Sequence, residues 1–278
     1  MRRHWMRELS SHTKRHTVVY AADFLSPVKA NSPDQSINLG DMQGLMEVFK
    51  DLDVKTGLDL ILHSPGGDPT AADSLVRYMR DRFSDVRVIV PLAAMSAATM
   101  WSLSADTIMM GQHSQLGPID PQMNFGGRMV PAGAIKRNFE KAQRECAADE
   151  RLLSGWVPTL QQYFPGLLEM CDDYSNLSKV LVGEYLAQYM FKGRSDAHAL
   201  ASAAADFFAN DTLHMAHGRA IGRDKVATLG IEVELIEVDS VMQDLVLSVH
   251  HSLTHTFGMT PVVKIIENHL GRTWIRMM

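Results

Sequence analysis

The stretch VIVPLAAMSAATMWSLSAD, residues 88–106, passes from an apolar strand-like run into a helix-like run, and the hydroxyl of Ser96 stands at the change. Small alanine side chains flank this serine on both sides, which leaves room for a ligand close to its hydroxyl. Two interpretations are open. Ser96 could cap the helix that begins at Ala97, as serines commonly do, or it could be the nucleophile of an acyl-transfer enzyme.

Segments of strand and helix character alternate around this stretch. Strands are predicted for TVVYAA (17–22), LDLILHS (58–64), VRVIV (86–90) and DTIMM (106–110). Helices are predicted between them, over 40–52, from a cap at Asp68 or Thr70 to about residue 82, and from residue 97. Such alternation indicates parallel strands joined by right-handed crossovers.

The sequence after Pro131 has a different character. It is mostly helical in pattern, with one short strand predicted for IEVELIE (231–237) and a last helix around 241–257. We therefore expect an α/β fold in which a layered sheet carries a largely helical C-terminal half.

Composition and charge limit the class of protein. The chain has 278 residues, a formal net charge of −5 and a pI near 6.2, which provide no basic field for nucleic acid. Five basic side chains lie within residues 1–16, which we interpret as a solvated basic arm ahead of a single domain over residues 17–278.

Cysteine content and hydropathy predict the compartment. The two cysteines are too few for a disulfide framework and lack the spacing of a metal site, which fits a reducing environment. The sequence contains no apolar run long enough to span a membrane and no signal-type segment. We expect a cytoplasmic protein.

Three predicted strand exits bring polar and small residues to one edge of the sheet. They are HSPGGDP (63–69), PLAAMSAATM (91–100) and GQHSQLGPIDPQ (111–122). Gly66 and Gly67 lack Cβ atoms, so their N–H groups can approach a ligand closely. Together with the Ala97 N–H at a helix start, they are candidate oxyanion donors for an acyl-transfer reaction at Ser96.

The three loops, in this order and spacing, resemble the ClpP/crotonase superfamily, and within it the signal-peptide-peptidase-A-like serine peptidases. Residues 243–275 are similar to the C-terminal segment of the serine dehydrogenase proteinase family. The resemblance implies a ClpP/crotonase-like ββα superhelix, a homo-oligomer, a peptide or protein substrate, Ser96 as nucleophile, and Gly66 and Gly67 as oxyanion donors. No dinucleotide or P-loop motif is present, and we expect no cofactor.

The sequence offers several candidates for the general base that would activate the Ser96 hydroxyl. Lys136 is our first candidate, because a similar downstream lysine forms a Ser-Lys dyad in relatives of the superfamily and apolar neighbours could lower its pKa. The alternative is that Lys136 lies on the solvent-exposed face of an amphipathic helix. His63, His113 and Asp120 are possible supporting residues that could shape or orient the site.

Other interpretations stay open. His251 and His255 lie one helical turn apart, but no further ligand completes a metal motif, so we expect no metal. The same oxyanion loop could instead serve a crotonase-like acyl-CoA enzyme that does not need Ser96. A third possibility is a catalytically silent oligomeric scaffold.

Overall fold

The fold is given by a computed structural model that describes residues 1–29, 32–125 and 127–278. The helices are α1 (Arg2–Thr13), α2 (Asp41–Phe49), α3 (Pro69–Arg82), α4 (Ala97–Ser102), α5 (Ala132–Ala148), α6 (Leu153–Leu160), α7 (Leu167–Gln188), α8 (Ala197–Ala209), α9 (Asp211–His214), α10 (Arg223–Ala227) and α11 (Ser240–Met259). The strands are β1 (His16–Ala22), β2 (Leu58–His63), β3 (Val86–Val90), β4 (Ala93–Ala94), β5 (Thr107–Met110), β6 (Gln115–Leu116), β7 (Gln122–Phe125), β8 (Arg128–Pro131), β9 (Ile221–Gly222), β10 (Val233–Leu235), β11 (Val262–Asn268) and β12 (Thr273–Met277).

A seven-stranded sheet with the order β10-β5-β3-β2-β1-β11-β12 forms the centre of the fold. Its first five strands are parallel, as the alternation of strands and helices predicts. The strands β11 and β12 form an antiparallel hairpin that joins the sheet beside β1. The α/β class and the largely helical C-terminal half are confirmed, with this hairpin as an addition that the sequence pattern did not reveal.

The two faces of the central sheet pack into two different hydrophobic cores, because successive side chains of a strand point to opposite faces. On β1 and β2, Val18 and Leu60 belong to the larger core, which packs against α2, α3, α4, α7 and α8. Their neighbours Val19 and Ile61 point to the opposite core, which α1 and α11 cover. Because both faces are covered, side chains on both faces of these strands are buried and most of them are apolar.

The N-terminal segment is not a solvated arm. Residues 2–13 form α1, in which Met6 and Leu9 are fully buried against the second core. Arg2 and Arg3 hold the carboxylate of the fully buried Glu267 through contacts of 2.5 and 2.6 Å. The positive charge at this end therefore neutralises a buried carboxylate on β11, which the local sequence could not show.

A small sheet, β4-β6-β9, extends from the edge of the main sheet where the parallel strands end. Strand β4 lies directly before Ser96, and Ser64 and Ile37 make single bridges to Ala94 and Gly67. These pairings fix the turn that contains Ser96 against the loop that contains the glycine pair. In the described part of the chain, no helix is both long and apolar enough to cross a membrane.

Candidate active site

Backbone hydrogen bonds hold the three predicted strand exits together. The Ser64 N–H donates to the Ala93 carbonyl at 3.1 Å, and the Met95 N–H returns a bond to the Ser64 carbonyl at 2.9 Å. The third exit joins through the Gly117 N–H, which donates to Thr99 Oγ1 at 2.9 Å. The expectation that these loops meet at one edge of the sheet follows from the parallel topology and is met.

Ser96 occupies a strained backbone conformation. Its φ and ψ angles are 52° and −120°, whereas residues with a β-carbon avoid positive φ, at a cost of about 1–3 kcal/mol. The Ser96 hydroxyl makes no capping hydrogen bond to α4. The capping interpretation is therefore wrong, and the sharp turn from strand to helix presents the hydroxyl to the cavity in front of it, as nucleophile turns do.

The glycine loop lies directly beside this serine. Gly66 and Gly67 have φ angles of 95° and 154°. The Ile37 N–H donates to the Gly66 carbonyl at 2.8 Å and the Asp68 N–H donates to the Ile37 carbonyl at 2.9 Å, which holds the loop extended. A β-carbon on Gly67 would lie 2.4 Å from the Ile37 backbone, so only glycine fits there.

The three candidate oxyanion donors are not equivalent. The Gly66 N–H donates to Ser64 Oγ at 3.2 Å and is therefore occupied. The N–H groups of Gly67 and Ala97 have no acceptor among the residues that the structure describes. Free backbone N–H groups near a serine hydroxyl are the kind of donor that can stabilise a tetrahedral oxyanion.

Ser96 and both free donors line one open cavity of about 820 Å³. Much of its remaining wall is apolar and flexible, and includes Met100, Met123, Met129 and Met170. Thioether side chains adapt to ligands of different shape. The cavity is large enough for several residues of an extended peptide and presents few charges to it.

Asp120 and His217 form a polar pair at this cavity. His217 lines the cavity, and its Nδ1 lies 2.8 Å from Oδ1 of Asp120. Asp120 is only 4% exposed, and Nε2 of Gln122 donates to its other oxygen at 2.7 Å. Each oxygen of the Asp120 carboxylate thus has a side-chain partner, and one of these partners is the imidazole of His217.

Lys136 does not line the cavity with Ser96. Its ammonium pairs with the Asp172 carboxylate on α7, and the Lys136 side chain is one third exposed. The hydrogen bond that Lys136 donates to Asp172 raises the pKa of Lys136 above its ordinary value, the opposite of what a neutral amine base requires. Lys136 is therefore not the desolvated lysine beside Ser96 that we expected. Its exposure and its ion pair agree with the alternative, a position on the solvent-exposed face of the helix.

His63 and His113 line a different cavity, of about 340 Å³, together with His250 and His251. His63 lies at the end of β2, where burial, reinforced by His250, lowers its pKa to about 3. His63 is thus a buried neutral residue behind the glycine loop, and His113 is exposed. Neither side chain reaches the cavity of Ser96, and within the described ranges no group of three or more potential ligands could hold a metal.

His217 is the residue that sequence reasoning missed. It lies in HMAHGRA (214–220), a stretch without a recognisable motif, far along the chain from Asp120. No local feature of the sequence distinguishes it from the other histidines. A hydrogen bond from the Ile119 N–H to the Phe208 carbonyl ties the third loop to α8, and His217 follows α8 and α9 along the chain.

Comparison with known proteins supports the family that the loops suggest. Residues 35–159 match the family described as ClpP-like SDH-type serine proteinase, a segment that contains the glycine loop, Ser96 and Asp120. The match does not extend to residues 243–275, so the similarity predicted for that segment stays a prediction.

Two curated relatives from Methanocaldococcus jannaschii, the uncharacterized proteins MJ0137 and MJ1495, are 32% and 27% identical over 117 residues. These alignments cover 42% of this chain, and the chain spans about two fifths of each relative, 40% and 38%.

Two solved structures of a 1510-N membrane-bound stomatin-specific protease are similar at 15% identity. One is a serine-to-alanine mutant, with a TM-score of 0.41, covering 72% of this chain and 74% of that one. The other is a lysine-to-alanine mutant in complex with a substrate peptide, with a TM-score of 0.42, covering 72% and 70%. Within this chain, residues 35–159 are thus the segment that is similar to the ClpP-like SDH-type serine proteinases.

Proposed function

We propose that this protein is a serine peptidase that hydrolyses peptide bonds through an acyl-enzyme on Ser96. One observation carries the proposal. The backbone of Ser96 is strained, and Ser96 lines one cavity together with two free backbone donors, the N–H groups of Gly67 and Ala97. Backbone strain at a residue with no capping role is typical of a functional position.

The geometry supports a two-step reaction. Ser96 Oγ attacks the peptide carbonyl carbon, its proton passes to a base, and the carbonyl oxygen becomes an oxyanion held by the Gly67 and Ala97 N–H groups. The tetrahedral intermediate then expels the amine, which takes up the proton, and leaves an ester on Ser96. Water attacks this ester by the same route and releases the acid.

The apolar wall of the cavity favours peptide segments with apolar side chains. Met100, Met123, Met129 and Met170 provide adaptable contact surface. Tyr174 and Ile119 extend this wall. A highly charged peptide would lose its hydration there without gaining charged partners.

Two other functions use the same fold. A crotonase-like acyl-CoA enzyme would use the two free N–H groups for an enolate and would not need Ser96, yet Ser96 lines the cavity and has a strained backbone. A silent scaffold would leave the oxyanion donors paired internally, whereas only the Gly66 N–H is paired. Both observations favour the hydrolase.

Fluorophosphonate labelling followed by intact-mass analysis tests the proposal. Wild type is expected to gain one adduct and Ser96→Ala none. The matched control Ser74→Ala, at a half-buried position on α3 outside the cavity lining, should gain one adduct at the wild-type rate. A folded wild type that is not labelled would remove the peptidase proposal and leave the scaffold or the acyl-CoA enzyme.

A cytoplasmic location, homo-oligomeric assembly and cofactor-independent activity, all expected from the sequence, stay predictions. Size-exclusion chromatography with light scattering measures the subunit number directly.

A further inference from the structure

We propose that His217 is the general base for Ser96 and that Asp120 is its positioning residue. This inference rests on the proposed peptidase function and names a catalytic residue that neither the sequence pattern nor the family match provides.

The hydrogen bond between the two side chains defines the state of the imidazole. An ionised carboxylate only accepts hydrogen bonds, so His217 Nδ1 must donate to Asp120 Oδ1 across the 2.8 Å contact. In the neutral ring this leaves the lone pair on Nε2. Nε2 has no partner among the described residues, and the ring lines the cavity that contains Ser96.

The Asp120 carboxylate is built to hold this tautomer. It is buried, and Gln122 Nε2 satisfies the oxygen that His217 does not use. Its loop is tied to the end of α8, because the Ile119 N–H donates to the Phe208 carbonyl at 2.9 Å. Asp120 therefore has a fixed position from which to orient the ring.

The loop that contains His217 is also fixed at both ends. Asn210 caps α9 through the Leu213 N–H at 2.8 Å. On the other side, Arg219 Nη1 donates to the Leu213 carbonyl at 2.9 Å, and the Arg219 N–H donates to the Ala216 carbonyl at 3.0 Å. These bonds close a tight turn around His217, so the imidazole is anchored by its backbone as well as by Asp120.

The proton balance of the reaction is complete with this pair. His217 Nε2 takes the proton of Ser96 Oγ as the O–C bond forms, and it gives that proton to the leaving nitrogen as the C–N bond breaks. In the second step Nε2 takes a proton from water and returns it to Ser96 Oγ as the ester bond breaks. Asp120 stays ionised and stabilises the imidazolium in between.

The other titratable candidates lie elsewhere. Lys136 is paired with Asp172, and His63 and His113 line the second cavity. Of the histidines and lysines that the structure describes, His217 is the one that shares the cavity with Ser96.

The test measures the rate of fluorophosphonate labelling at Ser96 as a function of pH in wild type, His217→Ala, Asp120→Asn and Lys136→Ala. The control is His198→Ala, an exposed histidine on α8 outside the cavity. We expect His217→Ala to label roughly 10²- to 10⁴-fold more slowly, the usual contribution of a general base, and to lose the rise of rate with pH. Asp120→Asn should be slowed as well, because an amide can donate to Nδ1 and favour the wrong tautomer.

Two further measurements separate catalysis from folding. Circular dichroism and thermal unfolding establish that each variant is folded, and added imidazole should restore part of the labelling rate of His217→Ala but not of Ser96→Ala. Rescue by imidazole is not expected from a residue with a purely structural role.

The outcomes are distinct. Normal labelling of folded His217→Ala, with strong slowing of Lys136→Ala, would overturn this inference and leave the peptidase proposal intact. A folded wild type without any labelling would overturn both. Slowing confined to His217→Ala and Asp120→Asn, with imidazole rescue, would establish the pair.

Discussion

Gly66 lies directly against Ser96, so closely that a β-carbon on Gly66 would be 2.7 Å from the β-carbon of Ser96 and 2.5 Å from the Met95 carbonyl oxygen. The glycine loop therefore packs so closely on the turn that contains Ser96 that no side chain fits at Gly66 without displacing that turn.

Gly66→Ala is expected to abolish labelling at Ser96, because the new methyl group must displace the turn that presents the hydroxyl. The φ angle of 95° adds conformational strain of about 1–2 kcal/mol. The labelling rate and the free energy of unfolding check both effects. Gly166→Ala is the matched control, since Gly166 has a similar φ of 87° but open space around its Cα. If both variants lose stability equally and both keep labelling, the close contact at Gly66 has no functional role.

Lys136→Ala is expected to keep most of the wild-type activity. The lysine pairs with Asp172 at the surface, and exposed pairs contribute about 0–1 kcal/mol to stability. Peptidase rate and urea unfolding measure the change. Lys179→Ala, which removes a comparable surface pair with Asp206, serves as the control. A rate loss of several orders of magnitude in Lys136→Ala alone would restore the lysine as the base.

Stability is expected to fall as the pH drops below about 6.5, the ordinary value for histidine. Burial, reinforced in each case by a neighbouring histidine, lowers the pKa of His63 to about 3 and of His250 to about 4. Between these values and 6.5 the unfolded chain binds protons that the folded chain does not, so each histidine costs up to about 1.4 kcal/mol per pH unit. Above pH 6.5 neither His63 nor His250 makes the free energy of unfolding depend on pH.

Urea unfolding at pH 7.5, 6 and 5 measures this dependence. His250→Leu should reduce the slope between pH 6 and 5, whereas the exposed His198→Leu should leave it unchanged. Equal slopes in wild type and His250→Leu would show that His250 is protonated in the folded protein.

Lys264→Met is expected to destabilise the protein by about 3–5 kcal/mol, because it leaves a buried carboxylate without its cation. Lys264 and Asp41 are both fully buried, with Nζ 2.8 Å from each carboxylate oxygen, and Tyr20 donates to the same carboxylate at 2.6 Å. Burial lowers the pKa of Lys264, and Asp41 opposes that change.

A double-variant cycle with Asp41→Asn measures the coupling. The double variant should lose less than the sum of the two single losses, since it contains no unpaired buried charge. Additive losses would mean that the two charges do not stabilise each other. Lys264 also donates to the Ser36 carbonyl at 2.8 Å, next to the residue that pairs with the glycine loop, so reduced labelling should accompany the loss of stability.

The sequence alone determined the parallel α/β core and the meeting of the three loops, because apolar runs of strand length alternate with helical periods and parallel strands end at one edge. It also offered Ser96 as a candidate nucleophile and Gly66, Gly67 and Ala97 as candidate oxyanion donors, because the residue types of a strand-to-helix turn are local in sequence; these roles stay predictions.

Only the tertiary structure decided which side chains meet across long distances in the chain. His217 pairs with Asp120, and Lys136 forms a surface ion pair with Asp172. Glu267 is buried and pairs with Arg2 and Arg3. These contacts depend on the packing of distant segments, which leaves no pattern in the local sequence. The hairpin of β11 and β12 could not be predicted from the sequence for the same reason. A short apolar run such as residues 262–268 fits several structures until a neighbouring strand offers it hydrogen bonds.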